Sequence, residues 1–379
     1  MGMLCLAHSM NHSLLLVLSP LLLVVSSDLN VSVGTLSQIA AIGMFMYGGG
    51  AVLGGAISDK LREEKAITIA MGLSGLSTLL VFLLPGIYGI GVGLFFIATW
   101  SSVYHPTANS FINKVYKDNM AMAMSWHGIG GTLGTMAAPI ITTIVGLTFG
   151  WRYPYLLFGA FAMIAGAFFL RYKANINRSV TTSKGKTSYI ELFKIRELHP
   201  LFIFSLTNGL ILKGVEFFFP TVLASKGFEV GVAGFALSGV LICGVVSQII
   251  GAKIAEKRGM RNVIVLACIA SFTGLILFQF VPYPYDALAF ILMYGLGFYA
   301  IIPAFNVLVG RASPEDKRGT VYGLFFLINF GVGNVATSIG GIIIDRLGIG
   351  YVFVMISIIA ALSLISSLNI PKDKPEKTR

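Results

Sequence analysis

Between positions 66 and 113 the chain runs for 48 residues without one Lys, Arg, Asp or Glu. A helix crosses the hydrocarbon core of a bilayer with about 20 apolar residues, so this stretch is long enough for two crossings. In water the same residues would have to be buried. The chain has little polar surface with which to do that, since only 11% of it is charged and its mean hydropathy is +0.84; a soluble domain carries about 25%. The sequence therefore predicts an all-α, polytopic membrane protein.

Polar and Gly/Pro punctuation divides the chain into twelve expected spans: 4–25, 34–57, 66–84, 87–112, 120–147, 151–172, 200–223, 231–254, 263–281, 286–310, 320–344 and 350–368. The first could be mistaken for a signal peptide. It has no basic n-region, because the first cation is Lys60, and His8, Asn11 and His12 interrupt its apolar run, so it reads as a spanning helix.

The net charge of +11 could suggest nucleic acid, but its placement argues for a bilayer. Of 27 Lys and Arg, 23 fall in segments on one side, at 60–65, 114–117, 171–196, 253–261, 311–318 and 372–379. The opposite loops hold Arg152, Lys226 and Arg346, and Lys213 lies within a span. This asymmetry places both termini in the cytoplasm. Cys5, Cys243 and Cys268 sit in apolar runs with no CxxC spacing and read as small hydrophobes, not a metal site or disulfide framework. Without a GxxxxGK[ST] loop, an HExxH or a soluble domain, no enzyme activity, cofactor or nucleotide is expected.

The longest polar stretch, 173–199, separates six spans from six. The two sides resemble each other in order: SPLLL at 19–23 with FPTVL at 219–223, NVSVGTLS at 30–37 with FEVGVAGF at 228–235, SDKLREEK at 58–65 with AEKRGMRN at 255–262, and HGIGG at 127–131 with FGVGN at 330–334. The expected organisation is a half at 1–172, a cytoplasmic linker at 173–199, a second half at 200–368 and a tail at 369–379. A duplicated six-helix unit of this kind places its binding site near the midplane between the halves.

GGAISDKLREEK, with Gly55 four residues before Asp59 and then Lys60 and Arg62, resembles the signature loop of the major facilitator superfamily; Arg62 stands where a turn glycine is usual. Its echo has Ala252, Glu256, Lys257, Gly259 and Arg261. GIGGTLGTMAAP at 128–139 resembles, without the later glycines, the glycine-and-proline motif of antiporters in that superfamily, and FGWRYPYLLFG at 149–159 resembles its usual entry to the sixth span. YHPTA at 104–108 and LAHSMNHSLLLVLSPLL at 6–22 are similar to stretches of the fosmidomycin-resistance-like efflux proteins within it. The resemblance implies twelve helices in two pseudo-symmetric halves and transport by alternating access.

The residues themselves suggest roles. The loop charges Asp59, Lys60, Arg62, Glu256, Lys257 and Arg261 can bond helix ends in one state and release them in another; the plain alternative is a positive-inside loop. Gly130 and Gly134 allow close helix approach, and Pro106 and Pro139 can bend their helices. Pro106 also leaves the carbonyl of Ser102 without its helical donor. Ser101, His105 and Asn109 share a face, and such a polar stripe belongs away from lipid. Counted from the cytoplasmic ends, His8 lies ~6 Å deep and His105 and His127 ~10 Å deep, with His12 a turn beyond His8. A layer of imidazoles suits proton movement. Hydrogen bonding to a neighbouring helix is the bland alternative, and metal transport a remoter one; no metal is assigned.

In the second half, Lys213 and Glu216 lie near the middle of a span and share a face. Ionised groups there are costly, so pairing is expected, either as a packing device or as a proton-exchanging carboxylate beside a cation that receives an anionic substrate. Asn208, Asn306 and Asn334 add polar groups, and Trp100, Trp126 and Phe217 to Phe219 are aromatics of a pocket or of plain packing. The reading is a monomeric, proton-coupled exporter of a small amphipathic or anionic compound in the plasma membrane. Uptake by symport and a non-transporting receptor or scaffold are the alternatives.

Overall fold

The computed structural model describes residues 1–50, 61–116, 119–172 and 189–372. Among them no strand occurs, and every long element is a helix. In chain order these are α1 (Gly2–Leu16), α2 (Leu18–Leu29), α3 (Val33–Gly49), α4 (Glu63–Leu83), α5 (Gly86–Val115), α6 (Met120–Phe149), α7 (Tyr153–Arg171), α8 (His199–Ser225), α9 (Val230–Arg258), α10 (Met260–Phe280), α11 (Tyr285–Phe298), α12 (Ile301–Ala312), α13 (Arg318–Phe326), α14 (Val335–Leu347) and α15 (Tyr351–Leu368). Eleven stretches of described residues are long and apolar enough to cross a membrane, with α1 and α2, α11 and α12, and the run from Arg318 to Leu347 each counting once. The second expected span, 34–57, corresponds to α3 and to residues beyond the described ones.

Local chemistry sets the helix ends. Asn30 adopts the left-handed conformation (φ 51°) that closes α2, its N–H reaching Ser26 and Ser27 carbonyls. The Ser32 hydroxyl then accepts from the Thr35 N–H at 3.0 Å and caps α3. Glu63 and Glu64 occupy the first turn of α4, where the helix dipole favours anions.

Three spans that read as single runs are interrupted in the structure. Pro20 offers no N–H to the Leu16 carbonyl, and the ladder breaks at Val17 while the backbone stays helical. Pro303 does the same for the Tyr299 carbonyl between α11 and α12, and that carbonyl takes the Ile302 N–H instead, at 3.3 Å. Between α13 and α14 the helix passes through a π-helical segment, Leu327–Gly331, and a 3₁₀ turn, Val332–Asn334. Pro106, by contrast, sits inside a continuous α5.

The chain forms two compact units, Met1–Lys186 and Thr187–Arg379. In the first, α4 packs on α5 and α7, and α1 on α6. Its core includes Ile67, Met71, Tyr104, Phe111 and Phe169. In the second, α10 packs on α11 and α15, around Phe219, Phe278, Phe290 and Phe353. The three cysteines are free thiols.

Candidate functional site

The first unit gathers four of the five histidines. His8 and His12 are one turn apart on α1, and their Nε2 atoms are 3.1 Å apart. His105 of α5 approaches both, with ring centroids 5.0 Å from His8 and 5.3 Å from His12. His127 of α6 stacks on His8 at 4.0 Å and 10°. His8 and His127 are buried, while His12 and His105 keep some surface. Close helix approach makes the gathering possible. A Cβ at Gly130 would stand 2.5 Å from the Cα of Cys5, and one at Gly134 would collide with the backbone of Ser9. The side chain of Ser13 also donates to the Gly134 carbonyl, at 3.2 Å.

The hydrogen bonds assign the protons. His8 Nδ1 lies 2.7 Å from the His127 carbonyl, which can only accept, so Nδ1 carries the hydrogen and Nε2 is the lone-pair nitrogen of the neutral ring. Asn11 donates to the Ser101 carbonyl (2.9 Å), fixing its amide so that Oδ1 receives the Tyr47 hydroxyl (3.0 Å). With its hydrogen used, Tyr47 accepts from His105 Nε2 at 2.9 Å, and Nδ1 is the lone-pair nitrogen of that ring. Tyr104 donates to the Leu4 carbonyl (2.9 Å) and accepts from His127 Nε2 (3.1 Å). Each of these three rings is thus held in one tautomer by a neighbouring helix.

The stripe at Ser101, His105 and Asn109 divides on inspection. Ser101 is fully buried against Ser74 of α4 (hydroxyls 3.1 Å apart), His105 joins the cluster, and Asn109 is half-buried without a side-chain hydrogen bond among the described residues. The Asn11 amide meets the Ser101 carbonyl, one residue before the one Pro106 frees.

The second unit holds Lys213 and Glu216 on α8 as an ion pair at 2.7 Å, with about a sixth of each side chain accessible. The ammonium lies 5.0 Å from the Phe330 ring, which belongs to the π-helical segment. That segment lies against α8. A Cβ on Gly209 would come within 2.9 Å of Asn329 Cα, and one on Gly333 within 2.7 Å of the Gly209 carbonyl oxygen. Asn329 donates to Ser205 Oγ at 2.6 Å, Asn334 to the Phe330 carbonyl at 2.6 Å, and the buried Oδ1 of Asn208 has no partner among the described residues. Asn306 is exposed, and its carbonyl accepts from Tyr322. Phe218 and Phe219 are fully buried packing residues.

Of the loop residues, Gly55, Asp59 and Lys60 lie outside the described residues. Arg62 pairs with Glu64 at 3.1 Å. Glu256 and Lys257 are exposed at the end of α9, with no ion pair among the described residues. Arg261 donates to the Leu368 carbonyl at 2.8 Å and so caps α15. Three acids that sequence reasoning passed over, Glu63, Glu64 and Asp286, are buried. Glu63 bonds Lys114 and Ser110 of α5, and Asp286 pairs with Lys226 at 2.8 Å. Their partners are 51 and 60 residues away, and no local pattern announces them. Pro139 lies within α6 and its carbonyl accepts from Thr143.

Residues 4–337 match the model of the family described as Major Facilitator Superfamily. The chain is 24% identical over 393 residues to the fosmidomycin resistance protein of Escherichia coli, covering 98% of this chain and 91% of that one. It is likewise 24% identical over 335 residues to the multi-drug resistance efflux pump PmrA of Streptococcus pneumoniae, covering 83% and 80%. A crystal structure of the nucleoside transporter NupG shares the fold, with a TM-score of 0.78 at 16% identity over 97% of this chain and 96% of that one.

Proposed function

Because the chain belongs to the major facilitator superfamily and is an integral membrane transporter of small molecules, we propose that it is a proton-coupled exporter of small amphipathic or anionic organic compounds. One observation carries this reading. Lys213 and Glu216 form an ion pair about 21 Å along a helix about 40 Å long, deep in the apolar layer. Holding two charges at that depth is costly, and a helix that only packs has no use for them. A proton on Glu216 would cancel the pair's attraction and remove the carboxylate to which a substrate's hydrogen-bond donors bind, releasing that substrate. A substrate bound at the charged pair would in turn keep the proton off Glu216, so that proton and substrate occupy the site in turn. Ligands that act so differently on two arrangements shift the balance between them, which is what alternating access requires.

The adjoining π-helical segment supports the reading, since such segments recur at functional sites. Two of the relatives described above are named for drug resistance, and export follows from them by analogy. In this proposal the protein is a monomer of the cytoplasmic membrane with both termini and the 173–199 linker in the cytoplasm. A protease site inserted near 180 would be cut only from the inner face.

The test uses the full-length protein in sealed liposomes containing a pH indicator. Adding fosmidomycin or an aromatic carboxylate should move protons, and imposing a pH gradient should drive substrate the opposite way. Substrate and protons moving together would replace export by symport. Substrate movement indifferent to the gradient would end proton coupling.

A further inference from the structure

We propose that His8, His12 and His105 form a binding site for a divalent transition-metal ion of zinc-like softness. Two of them stand at i and i+4 on α1, the spacing at which a helix presents two imidazoles to one ion. The third comes from α5, 93 residues further on, and one ring nitrogen from each residue lies within 4.8 Å of the other two. Two nitrogens bound tetrahedrally to one zinc, each about 2.0–2.1 Å from it, stand about 3.3 Å apart. The Nε2 atoms of His8 and His12 are already 3.1 Å apart, joined by the hydrogen that His12 donates to His8; an ion would take that hydrogen's place, with the His12 proton moving to Nδ1 or leaving, and the His105 ring would close in.

What separates this cluster from packed histidines is the hydrogen bonding behind it. Ligand histidines give their other N–H to a carbonyl or another acceptor, which fixes the tautomer and raises the basicity of the binding nitrogen. His8 gives Nδ1–H to the His127 carbonyl, and His105 gives Nε2–H to Tyr47, itself held by Asn11. Each therefore keeps its remaining nitrogen unprotonated, as metal binding demands. His12 and His105 retain surface, which leaves the cluster open to an ion and to a water as fourth ligand. Three neutral imidazoles suit Zn²⁺, Ni²⁺ or Cu²⁺ and give Mg²⁺ and Ca²⁺ nothing they prefer. An ion there ties α1 to α5.

The experiment titrates zinc chloride alone into chelator-stripped, full-length protein in detergent. One zinc per chain is expected, uncompeted by excess Mg²⁺. His8→Gln, His12→Gln and His105→Gln should each weaken binding by more than about 100-fold, and Tyr47→Phe, which keeps all three ligands, by about 10-fold. His199→Gln, outside the cluster, should change nothing. X-ray absorption of the unaltered protein, which needs no variant to fold, should give nitrogen or oxygen neighbours at about 2.0–2.1 Å and no sulfur at about 2.3 Å. Absent saturable binding, a sulfur shell, or full binding by a His8→Gln/His105→Gln double variant each overturns the site. Proton coupling measured in zinc-free buffer is unaffected by any of these results.

Discussion

Glu63 at the start of α4 and Lys114 near the end of α5 form an ion pair that also takes the Ser110 hydroxyl on the same carboxylate oxygen. The two partners differ in exposure: the Glu63 side chain is 8% accessible and the Lys114 side chain 32%. Removing the lysine strands a buried carboxylate, whereas removing the acid leaves a lysine that can reach water. Lys114→Met should therefore cost about 3 kcal/mol and Glu63→Ala nearer 1. Thermal unfolding of the purified variants reads the difference, and equal losses would contradict this account.

Glu216→Gln should abolish proton-coupled movement while leaving substrate exchange across liposomes, since the amide takes up no proton but still accepts a hydrogen bond from substrate. Lys213→Ala should slow anions more than neutral compounds. If the pair served packing alone, a double apolar replacement would be stable and fully coupled. Coupling ratios and unfolding temperatures, measured on the single and double variants, separate the two.

Two glycines of α6 make a paired test of helix contact. A methyl at Gly134 meets the Ser9 backbone, which cannot rotate away, whereas at Gly128 nothing lies within 4 Å. Gly134→Ala should destabilise by about 1–3 kcal/mol through overpacking. Gly128→Ala should be neutral or stabilise by up to about 1, from helix propensity. A Gly128→Ala protein as damaged as Gly134→Ala would point to a shared backbone effect instead.

The Asn208 side chain is buried with Oδ1 unpartnered among the described residues, a cost a merely structural asparagine would shed. Asn208→Leu should raise stability by about 1 kcal/mol and lower transport. Stability and transport both unchanged would remove Asn208 from the site.

The spans were legible because a crossing is written locally, in about 20 consecutive apolar residues. The histidine layer was also legible, since depth along a helix is a count of residues. Its tautomers were not. They depend on Tyr47 and Asn11, which reach the cluster only through the rotation of α1 and α3 about their axes. The Glu63–Lys114 and Asp286–Lys226 pairs failed to show for the same reason: each joins two helices whose facing sides no composition specifies. The π-helical segment had no signature either, because LINFG is as apolar as the helix around it.

The contact of Gly209 with Asn329 and Gly333 has a mechanical meaning. Backbone meets backbone at those two glycines, so no side chain is interleaved at that point, and the Asn329–Ser205 hydrogen bond beside it is the side-chain link a slide would have to break. Interlocked side chains resist sliding like gear teeth; two bare main chains resist it like a plain bearing. Lys213 and Glu216, one and two turns beyond Gly209 on α8, ride next to that bearing. A slip there would carry Lys213 and Glu216 together past the Phe330 ring, which lies 5.0 Å from the ammonium.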